Sequence, residues 1–161
     1  MMNKNNKGFS LIEFVIYFGI LAAVSILVVN LMINAARDKG HIEARTEVQQ
    51  NLRYGMLRIT QAIHQASSVN GTPGATLSLV IGGVNNVFDL SSGVLRIKVG
   101  AAAEEPITSD KVTVTGLTFT KISNASPAKD TIQTSMTISY KDNGNTQLEY
   151  SQSQQSTAGL K

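Results

Sequence analysis

The sequence predicts an α+β fold: a long N-terminal helix, transmembrane in its first half, packed against a C-terminal antiparallel β-sheet. Three observations predict it. An apolar run extends from Phe9 to Ala36 with Glu13 as its single charge and no proline. Helical spacing then continues with one apolar stripe, Val48, Leu52, Met56, Ile59, Ile63 and Ala66. Beyond Gly74 the chain turns to β-branched residues at the two-residue period of strands.

The first element is set by its length. The 28 residues Phe9–Ala36 make a helix of about 42 Å at ~1.5 Å per residue. A bilayer core of ~30 Å needs ~20 apolar residues to span it, so the run is long enough to cross. Glu13, five residues in, would cost up to ~3 kcal/mol unpaired at the bilayer centre and less near its edge. It therefore needs a partner. Cutting the chain between Gly8 and Phe9 would create a free α-amino group on Phe9, one helical turn from Glu13.

From Asp38 onward Glu, Arg, Gln and Ala, good helix formers, dominate. The apolar positions advance by four, four, three, four and three residues, one stripe on a helix, while Arg45, Gln49, Arg53, Gln61 and Gln65 fall mostly off it. Gly40 and Gly55 each cost about 1 kcal/mol relative to Ala in a helix interior, so bends are expected there. Asn70-Gly71-Thr72-Pro73-Gly74 ends the pattern. The expectation is one nearly continuous helix from Phe9 to about Val69, apolar all round in its first half and one-faced in its second.

The strands follow. Leu77–Ile81 reads as a strand and Gly82-Gly83 as a turn. Val87–Leu90 and Val94–Val99 flank Ser92-Gly93 as a hairpin, with Leu95, Ile97 and Val99 on one face and Val94, Arg96 and Lys98 on the other. Lys111–Ser123 is a strand whose period Gly116 interrupts, which predicts a bulge or bend. Asn124–Asp130 is a loop. Thr131–Tyr140 places Ile132, Thr134, Met136, Ile138 and Tyr140 on one side. Asp142-Asn143-Gly144-Asn145 is a turn, and Thr146–Ser151 can pair back. Gln152–Lys161 is polar, an irregular strand or a tail. One sheet with an apolar face would bury the helix stripe.

Composition narrows the function classes. Of the 161 residues, roughly a hundred lie beyond the leader, the apolar helix and its polar continuation, enough for one small domain. There is no cysteine, so no disulfide. The net charge of +3 is concentrated before residue 69, and the remainder carries seven basic and seven acidic residues. That is no electrostatic footprint for nucleic acid. No Gly-x-Ser-x-Gly elbow occurs, and no nucleophile–base–acid set has the required spacing, so no enzyme is expected. His41 and His64 lie 23 residues apart without ligand spacing, and read as solvated helix residues. Asp142-Asn143-Gly144-Asn145 lacks the alternating acids and closing Glu of a calcium loop. Glu104-Glu105 before Pro106 reads as a solvated loop, and Tyr17 and Asn30 as interfacial or helix-contact residues. No cofactor or metal is expected.

Gly8-Phe9-Ser10-Leu11-Ile12-Glu13, behind a short basic stretch with Lys4 and Lys7 and ahead of a long apolar helix, resembles the processing signal of type IV pilins and type II secretion pseudopilins. The motif matches at every position, and the resemblance covers about the first 36 residues; beyond them it is architectural. It implies a leader over 1–8, a transmembrane and filament-core helix over 9–36, an amphipathic continuation over 37–69, and a β headpiece with a polar tail over 70–161. It further implies cleavage between Gly8 and Phe9, N-methylation of Phe9, and charge pairing of Glu13 with a Phe9 amino group during assembly. Pairing within one subunit remains open, since Phe9 and Glu13 share a helix face. Small residues Gly19, Ala22, Ala23 and Ser25 would permit close helix approach. The implied partners are a prepilin peptidase/methyltransferase, other pilin or pseudopilin subunits, an inner-membrane assembly platform with its ATPase, and the membrane itself. The implied location is the cytoplasmic membrane, single-pass, then a surface or periplasmic filament.

The chain departs from many major pilins in having no proline in the apolar run and no C-terminal disulfide, which brings it closer to minor pilins or pseudopilins. Three other readings stand beside this one. Ala35-Ala36 before Arg37 could end a secretory signal peptide, although the apolar core is longer than the ~7–15 residues such peptides use. An uncut signal anchor would make a membrane-anchored binding module with an extracytoplasmic β domain. A DNA-uptake pilus is the third, which the neutral β region does not favour.

Overall fold

A run without proline carries the first element, α1, through Leu11–Gln65, 55 residues in all. The computed structural model describes residues 10–125, 129–141 and 149–161. Gly40 and Gly55 stay within the helix. The last turn tightens where Ala66 donates its N–H to the Ile63 carbonyl at 3.1 Å, and the Ser67 N–H then passes to the Val80 carbonyl at 2.9 Å. The chain divides into two compact units, one ending at Gly40 and one running His41–Lys161. In the first, every large apolar side chain from Leu11 to Ile33 is exposed, so this helical stretch has no inward face.

Among the described residues the second unit adds eight strands: β1 Ser68–Val69, β2 Leu77–Ile81, β3 Val84–Ser91, β4 Val94–Val99, β5 Glu105–Pro106, β6 Val112–Ile122, β7 Thr131–Tyr140 and β8 Ser151–Gly159. They form two antiparallel meanders, β1-β2-β3-β4-β5 and β6-β7-β8, where the sequence reading expects one sheet. The break falls at Pro106. It pairs with Arg96, and the Ile107 N–H still reaches the Leu95 carbonyl at 2.7 Å, but the Leu95 N–H turns to Thr108 Oγ1 at 3.1 Å rather than to a facing backbone carbonyl, so the ladder ends and the chain begins a second sheet.

Two hairpins of the first sheet, β2–β3 and β3–β4, have two-residue loops, Ile81 facing Val84 and Ser91 facing Val94. Ser92 and Gly93 take φ of 51° and 76°, the left-handed pair that matches strand twist in a type I′ turn. The expected irregularity at Gly116 is a register shift between Val114 and Gly116. In the hairpin over β3 and β4, Leu95 and Ile97 are buried as expected, but Val99, at the strand end, is exposed. The polar C-terminal stretch is a full strand: β8 pairs with β7 from Ser139↔Ser151 to Thr131↔Gly159 without a slip. The expected turn at Asp142-Asn143-Gly144-Asn145 and the start of the strand at Thr146 lie outside the described residues.

The α1 stripe Val48, Leu52, Met56, Ile59, Ile63 and Ala66 is buried throughout. It joins Leu77, Leu79, Phe88 and Leu95 of the first sheet and Phe119, Ile132, Met136 and Ile138 of the second in one core. Gly55 is a packing site. A Cβ there would lie 3.0 Å from Met136 Cε and 3.2 Å from Leu95 Cδ2. Its missing side chain lets the helix approach one strand of each sheet.

Candidate functional site

Ser10 precedes α1, and its carbonyl accepts the Phe14 N–H at 3.1 Å. Glu13 is the one acidic residue of the first turn. The Ser10-x-x-Glu13 spacing is that of a capping box, and a carboxylate there also offsets the positive end of the helix dipole. Behind it, Phe14 and Phe18 stack with ring centroids 6.2 Å apart. Ser25 satisfies its hydroxyl internally, donating to the Leu21 carbonyl at 2.8 Å. Tyr17 and Asn30 are exposed, and Gly19 has open space around its Cα. By length and composition α1 has one segment able to cross a membrane, near the N-terminus, and none of it is buried. Lys4, Lys7, Gly8 and Phe9, and with them the cleavage, methylation and charge-pairing positions expected at Phe9, lie outside the described residues.

Among the described residues of the second unit, ion pairs form in three places. Arg96 and Asp89 are cross-strand partners joined by two hydrogen bonds, Nε to Oδ1 at 3.0 Å and Nη2 to Oδ2 at 2.6 Å. Glu104 closes on the Arg96 Nη1. The Asp89 hydrogen bond is the largest influence raising the Arg96 pKa, with desolvation opposing it and Glu104 adding to it. Glu104 is thus an ion-pair member, and Glu105 begins β5, where the sequence reading has a solvated loop. Lys111 reaches Glu43 at 3.2 Å and Glu47 at 3.3 Å, one turn apart on α1; these hydrogen bonds raise its pKa. Lys121 pairs with Asp130 at 2.7 Å, and that hydrogen bond holds the Asp130 carboxyl below its usual range.

Asn51 escapes sequence reasoning. It is buried on α1. Its Oδ1 accepts the Ser109 N–H at 2.8 Å, while its Nδ2 donates to the Glu47 carbonyl at 2.9 Å and to Ser109 Oγ at 3.2 Å. One amide therefore fixes the loop between β5 and β6 to the helix. His41 is exposed; His64 Nδ1 lies 3.1 Å from the Gly159 carbonyl. Among the described residues no three His, Cys, Asp or Glu side chains converge as metal ligands. The arrangement combines an uncovered apolar helix carrying one terminal carboxylate with a headpiece in which Asp89, Arg96, Glu104, Lys111, Lys121 and Asp130 are held in ion pairs. Compared with protein-family models, curated proteins and solved structures, the chain matches none of them.

Proposed function

We propose that this chain is a structural subunit, a prepilin, of a type IV pilus-like or type II secretion filament. It is cut after Gly8, N-methylated on Phe9, and assembled through its N-terminal helix to serve adhesion, motility, secretion or DNA uptake. The observation that carries the reading is a helix from Leu11 whose apolar side chains its own unit leaves exposed, with Glu13 in its first turn directly behind the Gly8-Phe9 junction. An apolar surface of that extent needs lipid or neighbouring helices around it. Lys4 and Lys7 supply the basic leader. A prepilin peptidase/methyltransferase, sister subunits, and an inner-membrane platform with its ATPase are the partners this role requires. Before assembly the chain would rest as a single-pass protein of the cytoplasmic membrane.

Intact mass and N-terminal fragmentation of the protein from its native membrane test the proposal. A chain starting at Phe9 and heavier by one methyl group is expected. A chain retaining residues before Phe9 would overturn the reading in favour of an uncut anchor, and a start near Arg37 would mean a secreted domain.

A further inference from the structure

Four strand edges border the two sheets, and three are blunted. β1 and β5 are two residues long. β6 carries the bulge at Val114/Gly116, and its outer side is bridged by Val114 N–H to the Gly93 carbonyl at 2.8 Å and Phe119 N–H to the Gly74 carbonyl at 2.7 Å. β8 is different. Its nine residues contain no proline, no lysine and no register slip, so it lacks the devices that keep an edge from pairing.

The direction of its free groups follows from the bonds at its two ends. Tyr140 N–H donates to the Tyr150 carbonyl at 2.8 Å, and Leu160 N–H to the Asp130 carbonyl at 3.0 Å. Antiparallel pairing alternates, so Gln152, Gln154, Ser156 and Ala158 share their backbone groups with β7, while those of Ser151, Ser153, Gln155 and Thr157 point outward. These four residues are exposed. The helix end closes the edge only past them, where His64 Nδ1 meets the Gly159 carbonyl at 3.1 Å and Lys161 N–H donates to the Ala66 carbonyl at 3.0 Å.

Beside this edge lie two adjoining hollows of about 400 and 330 Å³, both lined by Arg53 of α1 and Gln154 of β8. Gln49, Thr60, Gln152 and Ser156 contribute the other polar walls, and Leu57 an exposed apolar one. Arg53 is the sole charge in them and makes no ion pair among the described residues.

We infer that the β8 edge is a docking site for an extended acidic peptide segment of a partner protein, which adds to the second sheet as a fourth strand and sets a carboxylate against Arg53. The outward amides and carbonyls of Ser153, Gln155 and Thr157 supply main-chain pairing. Alternate side chains of the added strand enter the hollows, and the charge of Arg53 selects among them. The site belongs to the second unit alone and does not depend on the proposed filament role.

The test is selection of a displayed library of random ten-residue peptides on the full-length chain in detergent micelles. Enrichment of sequences rich in Asp or Glu is expected, with the bound peptide slowing hydrogen exchange at Ser153, Gln155 and Thr157. Gln155→Pro, which removes one outward N–H without touching the β7 ladder, is expected to weaken binding about tenfold. Arg53→Glu, on an exposed helix face, is expected to turn the selection toward Lys- and Arg-rich peptides while the melting curve stays unchanged. No enrichment over empty micelles overturns the site, as does binding that both substitutions leave intact. Enrichment with no acidic bias overturns the stated chemistry of the partner.

Discussion

Two buried threonines should respond to the same substitution with opposite signs. Thr134, in the middle of β7, is 2% exposed, and its hydroxyl has no hydrogen-bond partner among the described residues. Thr108, in the loop before β6, is 5% exposed; its Oγ1 accepts the buried Leu95 N–H at 3.1 Å. Valine has nearly the shape of threonine, with a methyl group in place of the hydroxyl. At Thr134 the exchange removes an unpaired polar group whose burial costs about 1–3 kcal/mol. Thr134→Val should therefore stabilise the chain by about 1–2 kcal/mol. At Thr108 the exchange strands the Leu95 N–H, and Thr108→Val should destabilise by about 1–2 kcal/mol.

The two variants should then differ by roughly 3 kcal/mol, although their changes in volume and hydrophobicity are identical. Urea titration of the full-length chain in detergent micelles, followed by far-ultraviolet circular dichroism, measures both. The midpoint should move up for Thr134→Val and down for Thr108→Val at an unchanged slope. In thermal melts each kcal/mol corresponds to roughly 4 °C. Shifts of the same sign would refute the hydrogen-bond argument, because burial alone cannot distinguish the two sites.

Gly93→Ala should destabilise by about 2–3 kcal/mol: at φ 76° its new Cβ would lie 2.6 Å from Thr113 Cγ2, and thermal melts read the loss. Asn51→Leu should cost about 1–3 kcal/mol by leaving the Ser109 N–H without its acceptor, with hydrogen exchange accelerated at Ser109. Acid should weaken the Lys121–Asp130 pair. The folded carboxyl is held below the ordinary 3.8, so its contribution is complete above that value and disappears as the pH falls through the lower folded one. Melts from pH 5 to pH 2 should fall less steeply for Asp130→Asn than for the unaltered chain.

Periodicity made much of the fold legible. The α1 stripe is a 3.6-residue pattern over six positions, and a one-faced pattern of that length has few other solutions. Gly82-Gly83 and Ser92-Gly93 announced two hairpins because left-handed pairs favour such residues. What stayed illegible depends on partners distant in sequence or on groups without a hydrophobic signal. Asn51 looks like any polar helix residue until Ser109, 58 positions on, arrives beside it. Glu104 looks solvated beside Glu105, and only the hairpin that carries Arg96 gives it a partner. β8 is polar on both faces, so alternation cannot find it; its ladder to β7 makes it a strand. The split into two sheets comes where the Leu95 N–H is taken by a side chain, Thr108 Oγ1, in place of a strand carbonyl. Of the candidate site, Glu13 was legible as the lone charge of an apolar run, and it begins the helix as its spacing implies.

The apolar stretch of α1 makes a different demand from the stripe. A stripe is satisfied by one packing surface, and its own unit provides it. Residues 11–33, apolar around the whole circumference and exposed in the fold, are satisfied only by surroundings on every side. Lipid provides that, and so does a ring of other helices. Exchanging one for the other releases little water, so the apolar residues themselves barely favour either. Glu13 is the residue whose free energy differs between them: it costs up to ~3 kcal/mol unpaired in hydrocarbon and recovers that cost beside a cation. Under the proposed function its substitution by an uncharged residue should hold the chain in the membrane. Glu13→Leu should therefore raise the membrane-retained fraction and lower the filament fraction in cells, with melting of the headpiece unaltered. Equal partitioning of Glu13→Leu and the unaltered chain would remove the carboxylate from the assembly mechanism and leave it only its role at the start of the helix.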